Sequence, residues 1–235
     1  MVGRSLTRRP RRHYGERVTY PPAPWNLRGD LWCSTFWVGG THETQGPGGV
    51  RPRGVYGCAL VDYRSGGVLT YRELLVARLR RPMTPRVTIT DIWVDSEVSL
   101  AGGRGLWAIP KGMAELDFDA AGSAGSGGTA MRIDASVALP STEPVPGPVV
   151  SVDARAVGPL AVPAPFSFGT VQRREHVPDA GPDEHGEITT TVSGRARLAP
   201  VRSTWTFAPD GALGWLGGAR QLGSFVLADF AMSFG

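Results

Sequence analysis

Residues 93–111 of this 235-residue chain read WVDSEVSLAGGRGLWAIPK and end on Lys111, which is the one lysine in the sequence. The other 24 of the 25 basic residues are arginines. Arginine replaces lysine at little cost where only a solvated positive charge is needed, but a guanidinium cannot lose its proton near neutral pH. A single lysine retained among so many arginines is therefore a candidate nucleophile, with a solvated surface charge as the alternative.

The residues around Lys111 are apolar. Trp107, Ala108, Ile109 and Pro110 precede it, and a Gly-Met-Ala sequence follows it. Burial among such side chains disfavours a charged amine, so we expect the pKa of Lys111 to be lowered. Lowering it from about 10.4 to about 7 corresponds to about 4.6 kcal/mol, and a dry pocket can supply a shift of that size. The sequence thus predicts an amine that attacks a carbonyl group.

The segments on both sides of this stretch have the pattern of β-strands. With 32 glycines and 20 prolines, the chain has few uninterrupted windows for long helices. The continuous apolar block at residues 74–77 indicates a strand that is buried on both faces. A Gly-rich turn is expected to carry Lys111, and a single short helix is expected around residues 218–222. The predicted strands are 31–38, 54–63, 69–79, 86–94, 131–138, 149–156 and 188–198.

Length and composition predict one domain with a basic arm in front of it. A hydrophobic content of 41% is enough for a substantial core, and we place the domain at residues 20–235. Residues 1–19 contain a cluster of arginines and are expected to form a flexible arm that solubilises the chain or contacts another subunit. The arm lacks interleaved aromatic residues and no nucleic-acid-binding motif follows it, so no nucleic-acid partner is expected. The low-complexity sequence at 120–128 is interpreted as a flexible hairpin loop.

No membrane partner, metal or cofactor is expected. No apolar run approaches the roughly 18 residues of a membrane span, and the N-terminal residues lack the apolar core of a signal peptide, which predicts a cytoplasmic protein. Cys33 and Cys58 are too far apart for a CxxC motif and are interpreted as buried thiols. The four histidines lack metal-ligand spacing.

The stretch at 93–111 resembles the signature of the acetoacetate decarboxylase superfamily, in which a Glu, a Gly-Arg pair and a Pro-Lys pair recur at this spacing. The matching positions are Glu97, Gly103, Arg104, Pro110 and Lys111. Residues 71–73, which read Tyr-Arg-Glu, are similar to a Tyr-x-Glu motif of the same family. Residues 21–28, 222–224 and 227–229 are similar to its two ends, so that the resemblance extends from about residue 20 to the end of the chain.

This resemblance implies a mainly β fold of the α+β class, an antiparallel β-barrel with few short helices around a buried pocket. It also implies that Lys111 forms a Schiff base with a keto acid or ketone, and that the chain forms a homo-oligomer. In that family a second lysine follows the nucleophile, whereas this chain has Gly112 there, and residues 56–60 lack the acidic residue of the family. The lowered pKa of Lys111 is therefore expected to depend on an apolar pocket or on an arginine, and acetoacetate is expected to lose carbon dioxide slowly.

Glu73 is the predicted proton-transfer group. A carboxylate at the polar end of a buried strand is poorly hydrated and suited to exchange protons at neutral pH. The alternative is a structural salt bridge between Glu73 and Arg72, Arg78 or Arg104.

Two arginines are candidates for binding the substrate. Arg104 and Arg28 are predicted to hold a substrate carboxylate through paired hydrogen bonds, although either could instead orient Glu73 or Glu97. Glu97 is predicted to pair with Arg104, and Pro110 to support the turn that presents the lysine.

These residues predict a Schiff-base-forming lyase that acts on a keto acid through an imine on Lys111. An aldolase, dehydratase or cyclase that uses the same lysine is the alternative within enzymes. A barrel that binds a small molecule without converting it is the alternative outside them.

Overall fold

A computed structural model describes residues 18–44, 46, 49–80, 85–117, 130–133, 137–138, 150–157, 162–178 and 180–235. The first 17 residues of the predicted arm and the predicted loop at 120–128 lie outside these ranges. The helical segments are α1 Glu97–Trp107 and the 3-10 turns Arg174–His176 and Gly214–Leu216. The strands are β1 Trp25–Val38, β2 His42–Glu43, β3 Val50–Arg51, β4 Gly54–Tyr63, β5 Tyr71–Leu79, β6 Arg86–Val94, β7 Gly112–Met113, β8 Glu115–Leu116, β9 Ala130–Ile133, β10 Val137–Ala138, β11 Val150–Ala156, β12 Ala164–Arg173, β13 Glu187–Phe207 and β14 Arg220–Phe234.

The main sheet is mixed, which corrects the expectation of a wholly antiparallel barrel. Its strands follow the order β12-β6-β5-β4-β1-β14-β13-β11-β9. Within the described residues β12 pairs with β13 as well as with β6. The strands β12, β6, β5, β4, β1, β14 and β13 therefore form a closed series in which the last strand pairs with the first. Most pairs are antiparallel, but β12 lies parallel to β6 at Gly169 and Thr170, and β7 lies parallel to β6 at Gly112 and Met113.

Several predicted strands coincide with observed ones, and the predicted helix does not. The strands predicted at 54–63 and 86–94 are β4 and β6 with the same bounds. The helix expected around 218–222 is wrong, because residues from Arg220 onward belong to β14. That strand pairs with β1 on one side and β13 on the other, and this pairing outweighs the local preference of the sequence.

Helix α1 replaces the expected Gly-rich turn before Lys111. Ser96 caps its N-terminus, accepting a hydrogen bond from the backbone N–H of Ser99 at 3.2 Å. Glycines lower helix propensity, and the sequence therefore favours a turn here. In the structure they allow close packing, because a Cβ atom on Gly102 would overlap the indole ring of Trp25.

Two apolar cores lie on opposite faces of the sheet. Leu74 and Val76 of β5 point into one core, which β11 and the second half of β13 cover. Leu75 and Ala77 point the other way, into a cavity enclosed by the inner faces of the strands. The prediction that residues 74–77 are buried on both faces therefore holds in part, because Leu74 and Val76 are buried whereas Leu75 and Ala77 are partly exposed to the cavity. Among the described residues, no helix combines the length and the apolar character that a membrane crossing requires.

Candidate active site

A tight turn after α1 directs Lys111 inward. The chain leaves the helix through Ala108, which has a left-handed φ of 53°. The N–H groups of Ala108 and Ile109 donate to the carbonyl groups of Arg104 and Gly103 at 3.2 and 3.0 Å, which satisfies helix carbonyls that would otherwise lack a partner. The side chain of Lys111 is only 4% exposed, so it is buried.

The amine of Lys111 is held by three oxygen atoms. Its Nζ donates to Ser99 Oγ at 2.8 Å, to Glu73 Oε2 at 3.0 Å and, more weakly, to the hydroxyl of Tyr71 at 3.5 Å. The stem of the side chain lies against Gly103, where a Cβ atom would come within 2.7 Å of Lys111 Cδ and Cε. Lys111 and Glu73, both predicted from the sequence as catalytic, are thus brought together as a buried ion pair.

Two tyrosines support the carboxylate of Glu73. The hydroxyl of Tyr63 donates to Oε1 at 3.2 Å, and the hydroxyl of Tyr71 lies 3.5 Å from Oε2. The two residues face each other in the register of β4 and β5, and their rings stack with centroids 4.3 Å apart. Burial raises the pKa of Tyr71 to about 12 and that of Tyr63 well above its usual value. Both side chains are therefore neutral donors at physiological pH.

The lowered pKa predicted for Lys111 is wrong for the resting protein. Burial lowers the pKa of this amine, but the Glu73 carboxylate, with smaller effects from Tyr71, raises it, and the net shift is upward. The resting amine therefore keeps its proton and forms an ion pair with Glu73.

The other predicted site residues are not among the described hydrogen-bond partners of the Lys111 amine. Arg104 donates from Nε and Nη2 to the backbone carbonyl of Lys111 at 2.9 and 2.6 Å. Arg28 is exposed on β1, between residues that point inward. Glu97 is exposed at the first position of α1, and Pro110 is buried directly before the lysine. Neither arginine belongs to the described residues that line the cavity.

Ser99 was missed by the sequence analysis, although a signal for it exists. Once residues 97–107 are known to be helical, Ser99 lies one turn before Gly103, on the same face of the helix. That face packs against Lys111. Tyr63 was missed because its contact with Glu73 depends on the register of β4 against β5.

The cavity in front of the pair has a volume of about 330 Å³ and is almost wholly apolar. The inner faces of β1, β4, β5, β6, β12, β13 and β14 line it. Among its described lining residues, Glu73 and Lys111 are the only charged side chains. The arrangement places one amine and one proton acceptor at the edge of a hydrophobic space, where water is poorly accommodated.

The position after Lys111 has no room for a second amine without rearrangement. A Cβ atom on Gly112 would come within 3.0 Å of Trp93 Cδ1, so the indole ring of Trp93 occupies this space.

Cys33 lies in the cavity wall and Cys58 is buried, and both thiols are free. Burial raises the pKa of Cys33 to about 12, so its thiolate form is disfavoured at neutral pH. The described residues contain no cluster of three or more histidine, cysteine or acidic side chains that could hold a metal ion.

Comparison with known proteins gives similarity in structure but not in sequence. No family model matches the chain, and no curated protein matches it by sequence. The crystal structure of acetoacetate decarboxylase from Legionella pneumophila is similar with a TM-score of 0.57 at 9% identity, over 96% of this chain and 89% of that one. The enduracididine biosynthesis enzyme MppR with HEPES buffer bound is similar with a TM-score of 0.58 at 16% identity, over 94% of this chain and 88% of that one.

A second structure of MppR holds the condensation product of pyruvate and imidazole 4-carboxaldehyde. It matches with a TM-score of 0.52 at 17% identity, over 94% of this chain and 90% of that one. Such low identities establish the fold and leave the activity open. The chain therefore has the acetoacetate decarboxylase-like fold, as the motif that ends on Lys111 predicts.

Proposed function

We propose that the chain is an enzyme that forms a Schiff base between Lys111 and the carbonyl group of a small molecule. The observation that carries this proposal is the buried pair of Lys111 Nζ and Glu73 Oε2, 3.0 Å apart at the wall of an apolar cavity. An amine buried next to a proton acceptor is equipped to act as a nucleophile, because its proton can leave without water.

The reaction begins with transfer of a proton from Nζ to Glu73. The lone pair of the neutral amine forms a bond to the carbonyl carbon, and a proton moves from nitrogen to the former carbonyl oxygen to give a carbinolamine. Glu73 then returns its proton to this hydroxyl group, the C–O bond breaks and water leaves. The products are an iminium ion on Lys111, the Glu73 carboxylate as its counter-ion and one water molecule, so atoms and charges balance.

The iminium ion accepts electrons from a bond at the neighbouring carbon, and this is the step that makes the protein a lyase. From a β-keto acid, the electron pair of the C–C bond moves toward the iminium, carbon dioxide leaves and an enamine remains. From another ketone or aldehyde, loss of a proton gives an enamine that adds to a second carbonyl or undergoes dehydration or cyclisation. The condensation product bound to MppR, a protein of the same fold, supports this second course as a candidate.

Reductive trapping tests the proposal. The protein is incubated with a panel of ketones and aldehydes, reduced with sodium borohydride and digested, and the peptide that contains Lys111 is examined by mass spectrometry. We expect an adduct on Lys111 for at least one carbonyl compound. The matched control is Lys111→Arg, which keeps a positive charge beside Glu73 but lacks a nucleophilic amine. Absence of the adduct across the panel would instead support a protein that only binds small molecules.

Carbon dioxide release separates the two courses of the reaction. We expect slow decarboxylation of acetoacetate, because no second ammonium group follows Lys111 and the pair with Glu73 raises the pKa of its amine. Rapid release would place the chain with the decarboxylases. Assembly into a homo-oligomer belongs to the same proposal and is tested by light scattering of the purified protein.

A further inference from the structure

We infer that the carbonyl substrate of Lys111 is an uncharged ketone or aldehyde with an extended apolar body, rather than a keto acid. This inference rests on the proposed imine chemistry. It comes from four observations: the charge balance of the cavity, the placement of the nearby arginines, the length of the cavity and its aromatic wall.

The charges of the site balance without a charged substrate. Among the described residues that line the cavity, Lys111 and Glu73 are the only charged side chains, and they neutralise each other. The iminium ion keeps the positive charge of the amine, so Glu73 remains its partner after the reaction. A substrate carboxylate would add a negative charge that no described cation of the wall compensates, and burial of such a charge is strongly unfavourable.

The arginines that could bind a carboxylate are directed elsewhere. Arg104 donates twice to the carbonyl oxygen of Lys111, behind the amine and outside the cavity wall. Arg28 is exposed, because alternate residues of β1 face inward and Arg28 lies between Leu27 and Gly29, which are buried. A paired hydrogen-bonding contact between either guanidinium and a substrate at Lys111 is therefore not available in this arrangement.

The cavity is long enough for a substrate with a sizeable body. Along β5 its wall is formed by alternate residues from Glu73 through Leu75 and Ala77 to Leu79. Six residue steps of a strand span about 20 Å. Small side chains on β4 and β5, including Gly57 and Ala77, which pair across the two strands, leave the middle of this space open.

Aromatic side chains supply much of the remaining wall. Phe166 and Phe168 of β12 stack with centroids 6.4 Å apart, and Phe225 and Phe230 of β14 also line the cavity. Such a surface favours an alkyl or aryl group over water or polar groups. An uncharged carbonyl compound of this kind cannot lose carbon dioxide, so enamine addition or dehydration is the reaction class that fits it.

Two ketones that differ by one carboxylate provide the test. Benzylacetone and its para-carboxylate share one skeleton, and each is incubated with the full chain, trapped with borohydride and quantified by intact mass. We expect benzylacetone to reach half-maximal labelling at a concentration at least tenfold lower than the carboxylate. Equal or better labelling by the carboxylate would overturn the substrate inference. Absence of labelling on Lys111 by both ketones and by propanal would instead refute the imine proposal itself.

A variant tests whether the substrate body lies along β5. Ala77→Leu adds three carbons to the middle of the cavity, and we expect the ratio of half-maximal concentrations for benzylacetone and butanone to rise at least tenfold. Thermal unfolding is measured alongside, and the smaller Ala77→Val replaces the leucine variant if that variant does not fold. An unchanged ratio in a folded variant would contradict the placement.

Discussion

At the scale of single residues, Lys111 and Glu73 form one buried ion pair, with Nζ 3.0 Å from Oε2. The carboxylate raises the pKa of the buried amine, so in the resting protein the transferable proton lies on Nζ, which is an ammonium group. In the proposed mechanism, transfer of that proton to Glu73 gives the reactive amine without exchange with solvent. Because the total number of protons in the pair stays the same, this step does not depend on pH while the pair remains singly protonated.

Glu73→Gln is expected to change the pH dependence of imine formation. The wild-type rate constant should be nearly constant between about pH 7 and about pH 9. Without the carboxylate, burial is the largest remaining influence and lowers the pKa of Lys111, so the amine must release its proton to solvent. The rate constant of the variant should then rise by about tenfold per pH unit until it reaches a plateau. Rates are measured by exposing the protein to ketone at each pH and reducing at a common pH, and identical profiles would contradict the role of Glu73.

Arg104 is expected to position the lysine rather than to contact substrate. Arg104→Met removes both hydrogen bonds to the Lys111 carbonyl, and we expect the maximal trapping rate to fall by about tenfold or more. The half-maximal ketone concentration should change little, because Arg104 does not line the cavity. Arg104→Lys, which retains one donor group, should recover part of the rate. A large rise in the half-maximal concentration with an unchanged rate would indicate substrate contact instead.

At the scale of single elements, helix α1 determines where Lys111 lies. Gly103 packs against the lysine stem, and Ser99 on the same face accepts a hydrogen bond from Nζ. The same glycines make the segment resemble a turn in sequence. Local propensity therefore predicted a turn where the structure has a helix. The glycines are needed for contacts with distant residues, and a single sequence does not show those contacts.

Gly103→Ala tests this packing. A methyl group would come within 2.7 Å of Lys111 Cδ and Cε, so the side chain must shift and Nζ must move relative to Glu73. We expect the trapping rate to fall by about tenfold or more. Stability should change by no more than about 1 kcal/mol, because alanine gains helix propensity. Gly218→Ala is the matched control, since a Cβ atom there meets nothing within 4 Å, and equal rates in both variants would contradict the packing argument.

At the scale of the whole molecule, the sequence predicted several strands and singled out both Lys111 and Glu73, which lie together, but it did not predict the geometry around them. Strands with a clear pattern, such as β4 and β6, were placed with the correct bounds. The parallel contact of β12 with β6 joins distant segments and leaves no local pattern. The upward pKa shift of Lys111 could not be predicted either, because it depends on a 3.0 Å contact across 38 residues of chain.

The shape of the cavity depends on an irregularity in β14. Asp229 has a left-handed φ of 49°, and its backbone N–H donates to the buried Asp30 at 2.7 Å. The inward-facing residues shift by one position across it, from Phe225 and Leu227 before Asp229 to Phe230 after it. Phe230, Met232 and Phe234 therefore line the cavity, whereas a regular alternation would turn Asp229, Ala231 and Ser233 inward.

The most direct test uses the fact that the sequence contains only one lysine. Protein produced with lysine labelled with nitrogen-15 at Nζ should give a single side-chain resonance, from Lys111. We predict that this resonance moves to the position of an imine nitrogen when benzylacetone is added, and returns when the ketone is removed. A resonance that stays at the position of a free, solvated ammonium group at saturating concentrations of benzylacetone and of small aldehydes would contradict imine formation at Lys111.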